Sequence, residues 1–331
     1  MKSAAAGDLA AIVTRLRAAG CVFAEDEAGL LAATARSPAD LAAMVERRVS
    51  GLPLEHVLGW AEFCGLRIAV RNGIFVPRRR SEFLVRQAAA AVVAVAVAPA
   101  PAGPPGQPGP GRRRPVIVDL CCGSGAIGVA VAAAVDNAEL YAADIDLAAV
   151  DCARQNVASV GGHVYQGDLY DPLPATLRGR VDALVVNAPY VPTSEIALLP
   201  PEARLHEPAV ALDGGVDGVD VHRRVAAGAP GWLAPDGRLL IETSARQADK
   251  TAAAMTASGL VPAITHDHDL GATVVIGSRG AGPGTLPPAG AAATTRSGRS
   301  GSAAPTPAQP RSAGIAARPQ RPAHRTRPDT P

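Results

Sequence analysis

Seven short apolar runs, the first several separated by helical stretches, constrain this chain most. "VIVDL", "ELYAAD", "HVYQGD", "VDALVVN", "GRLLIET", "LVPAITH" and "ATVVIGS" follow one another from residue 116 to residue 278. Alternation of strand and helix buries a largely parallel sheet between helical layers, which is an α/β architecture. Only "DHDLG" stands between the last two runs, so these are expected to pair as an antiparallel hairpin.

The segments around this region read differently. Residues 1–51 carry helical patterning, best bounded at "SPADLAAMVERRVSG", where Ser37 caps, Pro38 opens the first turn, Asp40 meets the positive helix end and Gly51 closes it. "WAEFCGLRIAVRNGIFVP" alternates around Asn72-Gly73 and reads as a β-hairpin. Residues 1–76 are thus expected to form a helical module ending in a hairpin. Residues 77–115 form a connecting helix (82–97) and a Pro/Gly-rich linker, and residues 116–279 the α/β domain. From 280 to 331 the chain holds a single Ile and a single Leu among Gly, Ala, Pro, Ser, Thr and Arg, too little apolar surface to offset chain entropy, so a disordered tail is expected.

Composition narrows the function. A net charge of +2, with seven Arg against one Asp in the tail, leaves no basic face that announces tight nucleic-acid binding. "AAAAVVAVAVA" at 88–98 is too short to span a bilayer, and Asp8 interrupts any secretory apolar core. Cys21, Cys64, Cys121, Cys122 and Cys152 are odd in number, scattered and without metal-ligand spacing. They read as reduced thiols of a cytoplasmic protein. "HDHD" at 266–269 is a polar turn between strands, so no metal site is expected.

The chemistry lies at strand ends. The first strand runs into "DLCCGSGAIGVAVA", a turn that lets backbone approach a ligand and opens a helix with free N–H groups. Cys121 occupies the first glycine of a dinucleotide fingerprint and no Lys-Ser/Thr follows, so neither that motif nor a phosphate loop is matched; a tight strand-to-helix turn explains the same residues. Asp119, at the strand end, would repel a pyrophosphate and receive a cationic amine. Asp144 lies 19 residues after Gly125, where doubly wound folds place an acid on ribose hydroxyls, with Asp146 the alternative or a helix N-cap. In "GDLYDP", Asp168 offers an acceptor for an adenine amino group and Leu169 an apolar face. Single acids of this kind are often turn formers, but three on successive strand tips converge on one edge. "VVNAPY" ends the fourth strand: Asn187 and the Ala188 carbonyl offer acceptors for both hydrogens of an –NH2 group, Pro189 biases residue 188 toward extended geometry, and Tyr190 offers a flat face. An Asn-x-Pro turn is the structural alternative.

On "PLEHVLGWAEFCGLRIAVRNGIFVPRRRSEFLV", "VDLCCGSGAIGVA", "VVNAPYVP" and "HEPAVALDGGVDGVD", the chain resembles the protein glutamine N5-methyltransferases of the HemK/PrmC type, within the class I S-adenosylmethionine-dependent methyltransferases. The resemblance covers about residues 50–278. It implies a Rossmann-like methyltransferase sheet with a small helical N-terminal domain, and S-adenosylmethionine as cofactor. It also implies a peptide chain release factor as protein partner, methylated in its Gly-Gly-Gln loop. By the same resemblance Cys121, Cys122, Gly123, Ser124 and Gly125 would wrap the methionine part, with Asp119 and Asn187 adjoining. Asp144 would hold the ribose, Asp168 and Leu169 the adenine, and Asn187, Ala188, Pro189 and Tyr190 the glutamine amide. Glu207, Pro208, Gly214 and Gly215 match a landmark that shapes the substrate side. Residues 1–76 would help dock the protein.

Three departures stand out: Ala188 and Cys121 replace the usual Pro and Gly, and "PRRRSE" keeps Arg78 and Glu82 but puts Arg79 and Arg80 where Pro and Glu are typical. An adenine N6-methyltransferase acting on DNA or RNA is the alternative enzyme, since such enzymes share the Asn/Asp-Pro-Pro-aromatic device. A cofactor-binding protein without catalysis is the alternative from another class.

Overall fold

A computed structural model describes residues 2–97 and 113–279. The Pro/Gly linker from 98 to 112 and the tail from 280 onward lie outside the described residues.

Four helices lead the chain: α1 (Lys2–Ala18), α2 (Ala24–Thr34), α3 (Pro38–Val49) and α4 (Leu54–Leu58). Ser37 caps α3 as its sequence asks, its hydroxyl accepting from the Asp40 N–H at 3.1 Å. Leu16, Ala28, Leu31, Met44, Val45 and Val57 close a small core among them. Arg48 crosses that core with Nε on Glu27 (2.6 Å) and Nη1 on Glu202 (2.7 Å), tying the helices to the later segment that carries Glu202.

The hairpin follows as β1 (Trp60–Phe63) and β2 (Leu66–Ala69), antiparallel. Its turn is Cys64-Gly65, with φ of 51° and 72°, and not the expected Asn72-Gly73, which lies beyond β2. Two left-handed residues in a two-residue loop match the twist of the flanking strands, which decides the register. Ala61, Phe63, Ile68 and Val70 then bury with residues of the sheet domain, and Asn156 bonds both N–H and C=O of Ala69, at 2.8 and 2.9 Å. One core therefore runs across residue 76, where a boundary was expected.

Helix α5 (Glu82–Val97) packs on the sheet through Leu84, Ala88 and Val92 and so does more than connect. The sheet comprises β3 (Val116–Leu120), β4 (Glu139–Asp144), β5 (His163–Gln166), β6 (Val181–Val186), β7 (Leu233–Thr243), β8 (Leu260–Asp267) and β9 (Ala272–Arg279). Its order is β5-β4-β3-β6-β7-β9-β8, parallel except that β9 runs antiparallel to both neighbours. Every residue of β3 and β6 is buried, as central parallel strands covered on both faces require. Ile117, Ala183 and Val185 face α5, α6 (Ala126–Ala134) and α7 (Leu147–Val157). Val116, Val118, Leu184 and Val186 face the other layer, with α9 (Asp220–Gly228) and α10 (Ala248–Ala257). A short helix, α8 (Pro201–His206), lies in the connection after β6. Among the described residues no helix is long and apolar enough to cross a membrane.

Candidate active site

The parallel strands β3, β4, β5 and β6 end on one edge of the sheet, and β3 and β6 are the neighbours at which the strand order reverses direction. Ligands of open α/β sheets bind outside that edge. A cavity of about 510 Å³ opens there, reaching Cys121, Gly123, Asp144, Asp168, Asn187 and Tyr190. Its wall also takes Ala188, Pro189, Leu169, Arg78, Arg80 and Glu207.

At one end the β3–α6 loop forms the floor. Cys121 (φ 55°), Gly123 (φ 55°) and Gly125 (φ 77°) are left-handed, so Cys121 adopts the angle that a glycine takes at no cost. Gly125 precedes α6 without a side chain to cap it, and since Asp119 takes the Gly128 N–H, the Ala126 and Ile127 N–H groups are the ones left for a ligand. Cys122 and Ser124 complete the lining, and burial pushes the Cys122 thiol well above its usual value, so it stays protonated.

Asp144 stands at the tip of β4 with its carboxylate on the Gly123 N–H (2.8 Å) and the Asp146 N–H (2.9 Å). Burial raises its pKa and those two donors hold it down, so it fastens the loop and keeps acceptor capacity toward the cavity. Asp146 is the N-cap of α7, accepting from Ala148 at 2.9 Å. Asp168 reaches the wall already paired with Arg224, and Leu169, at φ 48°, turns into the cavity beside it.

Asp119 is not on that wall. Its side chain is buried beneath the loop, where Oδ2 accepts the Gly128 N–H at 2.8 Å, and burial pushes the carboxyl up to about 7. Direct reception of a ligand amine, expected from its place at a strand end, gives way to fastening α6 to β3.

At the other end, "NAPY" leaves β6 as a lip. Asn187 lines the cavity and its Nδ2 donates to Ser81 Oγ at 3.4 Å, which leaves Oδ1 as the acceptor end of the amide. Among the described residues no backbone N–H donates to the Ala188 carbonyl. Among the described residues no protein group donates to either acceptor, Asn187 Oδ1 or the Ala188 carbonyl. Tyr190 is fixed at both ends: its carbonyl accepts from Gln247 Nε2 (2.7 Å) and its hydroxyl from Arg80. Burial pushes its phenol up to about 12, so it remains neutral. Below lie two buried carboxylates. Glu207 accepts from Arg78 and from the Val76 N–H (3.3 Å), and Glu242 pairs with Arg80 Nε at 3.3 Å; each leaves its Oε2 without a protein partner. Gly214 packs against the backbone of Pro189 and Tyr190, which explains the glycines after the Glu-Pro landmark.

Ser81, Glu242, Gln247 and Arg224 were not singled out in the sequence. Glu242 carried a usable signal, since it sits near the end of a strand as Asp144 does. Ser81 and Gln247 lie 106 and 57 residues from the lip residues they hold, and no local pattern announces them. Among the described residues, no group of three or more His, Cys, Asp or Glu is placed to hold a metal.

Comparison with known proteins agrees with this arrangement. Residues 110–200 match the Methyltransferase small domain family. A release factor glutamine methyltransferase of Geobacter sulfurreducens is 33% identical over 251 residues, covering 73% of this chain and 80% of that protein. One from Gloeobacter violaceus is 40% identical over 212 residues, 62% of this chain and 67% of its own. A 4-amino-L-phenylalanine/4-methylamino-L-phenylalanine methyltransferase of Streptomyces pristinaespiralis is 33% identical over 215 residues, 65% and 69% respectively. With a third of its residues identical to the Geobacter protein over four fifths of that protein's length, the chain belongs to the release factor glutamine methyltransferase family.

Proposed function

We propose that the protein transfers a methyl group from S-adenosylmethionine to the side-chain amide nitrogen of a protein glutamine, the one in the Gly-Gly-Gln loop of a peptide chain release factor. The observation that carries this reading is the pair of free acceptors, Asn187 Oδ1 and the Ala188 carbonyl, in one cavity with the glycine loop. Bound S-adenosylmethionine supplies a methyl group on a sulfonium, an electrophile that needs no further activation.

The residues fit that cofactor. The Ala126 and Ile127 N–H groups at the start of α6 and the loop 121–125 would take its amino-acid part, Asp144 its ribose hydroxyls, and Leu169 with Asp168 its adenine. An amide nitrogen is a poor nucleophile because its lone pair is delocalised. Accepting both of its hydrogens, Asn187 and Ala188 fix the plane of the –NH2 group and aim the remaining electron density at the methyl carbon. Tyr190 covers one face of the amide and excludes water. Positioning of this kind lowers a barrier by about 7–11 kcal/mol in favourable cases, without any strong base.

The same acceptors suit the –NH2 of an aromatic ring, and the Streptomyces relative is named for such an amine, so a small arylamine is the second reading. The test uses labelled S-adenosylmethionine with a release factor, its Gly-Gly-Gln to Gly-Gly-Ala variant, 4-amino-L-phenylalanine, and DNA or RNA. Label is expected on the first alone; label only on the amino acid or only on nucleic acid overturns the proposal. Asn187→Ala is expected to lower kcat by about 100-fold or more with cofactor affinity within a few fold. Unchanged turnover in that variant removes the orienting role.

A further inference from the structure

The turn at Arg79–Ser81 touches both working side chains of the lip. Ser81 holds Asn187, and the residue before it, Arg80, holds Tyr190. Arg80 reaches across 162 positions to Glu242, whose side chain is only 2% exposed while that of Arg80 is 46% exposed. The guanidinium thus stands on a buried anion and turns one Nη donor to the Tyr190 hydroxyl, with its charge 5.8 Å from the ring centroid. Its fork geometry allows both bonds at once, which a single ammonium does not reproduce.

We propose that Arg80 is a positioning residue of the acceptor site: by bridging Glu242 and the Tyr190 hydroxyl, it sets the tyrosine ring against the group that Asn187 orients. This rests on the methyl-transfer reading above. Tyr190 is pinned through its carbonyl by Gln247 whatever stands at 80, so Arg80 governs the ring and leaves the lip's backbone in place.

A double-mutant cycle tests it. Arg80→Met is expected to lower kcat about tenfold with cofactor affinity within twofold, and to cost less than about twofold more once Tyr190 is Phe. Arg80→Lys keeps the charge on Glu242 but not the bridge; it is expected to melt like the wild type and share the loss of kcat. Losses that multiply across the cycle, or full activity in Arg80→Lys, overturn the proposal. A second readout needs no acceptor. With 3-fluorotyrosine at the four tyrosines, the Tyr190 resonance, assigned by Tyr190→Phe, should move in Arg80→Met and stay in Arg79→Met. If it moves while the wild type methylates no tested acceptor, the functional reading falls and the positioning stands. If methylation occurs and the resonance stays, the positioning alone falls.

Discussion

Gly214→Ala probes whether the lip works by position. Residue 214 is held from both sides, its N–H on the Val191 carbonyl (2.9 Å) and its own carbonyl on the Asp220 N–H (3.0 Å). A Cβ there would lie 2.7 Å from the Gly218 carbonyl oxygen, 2.8 Å from that of Pro189 and 2.8 Å from Tyr190 Cα. All three are backbone atoms, so no side chain can swing aside. Ordinary contact begins at 3.4 Å, and the Pro189–Tyr190 backbone must therefore retreat by about 0.6 Å. Misplacement by about 1 Å costs roughly 100-fold in rate, so a loss of about 10- to 100-fold in kcat is expected. Overpacking adds about 1–3 kcal/mol of destabilisation. The loop 121–125 is not among the atoms met, and cofactor affinity should stay unchanged. Single-turnover methyl transfer, calorimetric binding of the cofactor and thermal melting separate these effects. A variant that melts earlier yet turns over within twofold of the wild type would refute the argument, because the lip would then have moved without consequence.

Two further outcomes concern buried charge. Asp119 holds its proton up to about 7 when folded, whereas an unfolded aspartate releases it near 3.8, so the unfolded state binds fewer protons between those values and stability falls as pH rises through that window. Asp119→Asn keeps an acceptor for Gly128 without this slope; urea unfolding from pH 5 to 8 should show wild type losing stability relative to the variant, and parallel curves would contradict it. Arg48→Met leaves Glu27 buried without its cation, and unfolding free energy should drop by about 3–5 kcal/mol, with a loss under 1 kcal/mol ruling out the pair as a tie.

The sheet was legible because its signals are local. Parallel strands ending on one edge turned Asp144, Asp168 and "NAPY", scattered over 47 positions, into neighbours by topology alone. Two misreadings share a cause. Asn72-Gly73 is the stronger turn signal in isolation, but Cys64-Gly65 lies where the paired strands run out, and pairing with the large core decided. Asp119 shares its strand-end position with Asp144, yet the pleat directs it beneath the loop, a distinction that depends on which face α6 covers. Two holders of the lip were illegible for another reason: Ser81 and Gln247 meet Asn187 and Tyr190 only after the chain has closed on itself.

The three departures from the family pattern are not equivalent. Ala188, where Pro is usual, is 2% exposed and packs in the core layer with Val186 and Ile241. A lost proline acts through the unfolded chain, about 0.4–1 kcal/mol. The folded lip meanwhile keeps Val191 N–H on Leu212 (3.0 Å), Gly214 N–H on Val191 (2.9 Å) and Gln247 on Tyr190 (2.7 Å). Three independent tethers over-determine the backbone at 190–191, so the Ala188 carbonyl keeps its place without the ring. Cys121 is absorbed in the same way, by a left-handed angle that the loop imposes. Arg80 differs, because it introduces a charge and a donor that reach the acceptor side directly. A change in which amide or amine the protein accepts would therefore trace to Arg80, and an Asn187–Ala188 pair restored to Asn-Pro would leave acceptor preference as it was.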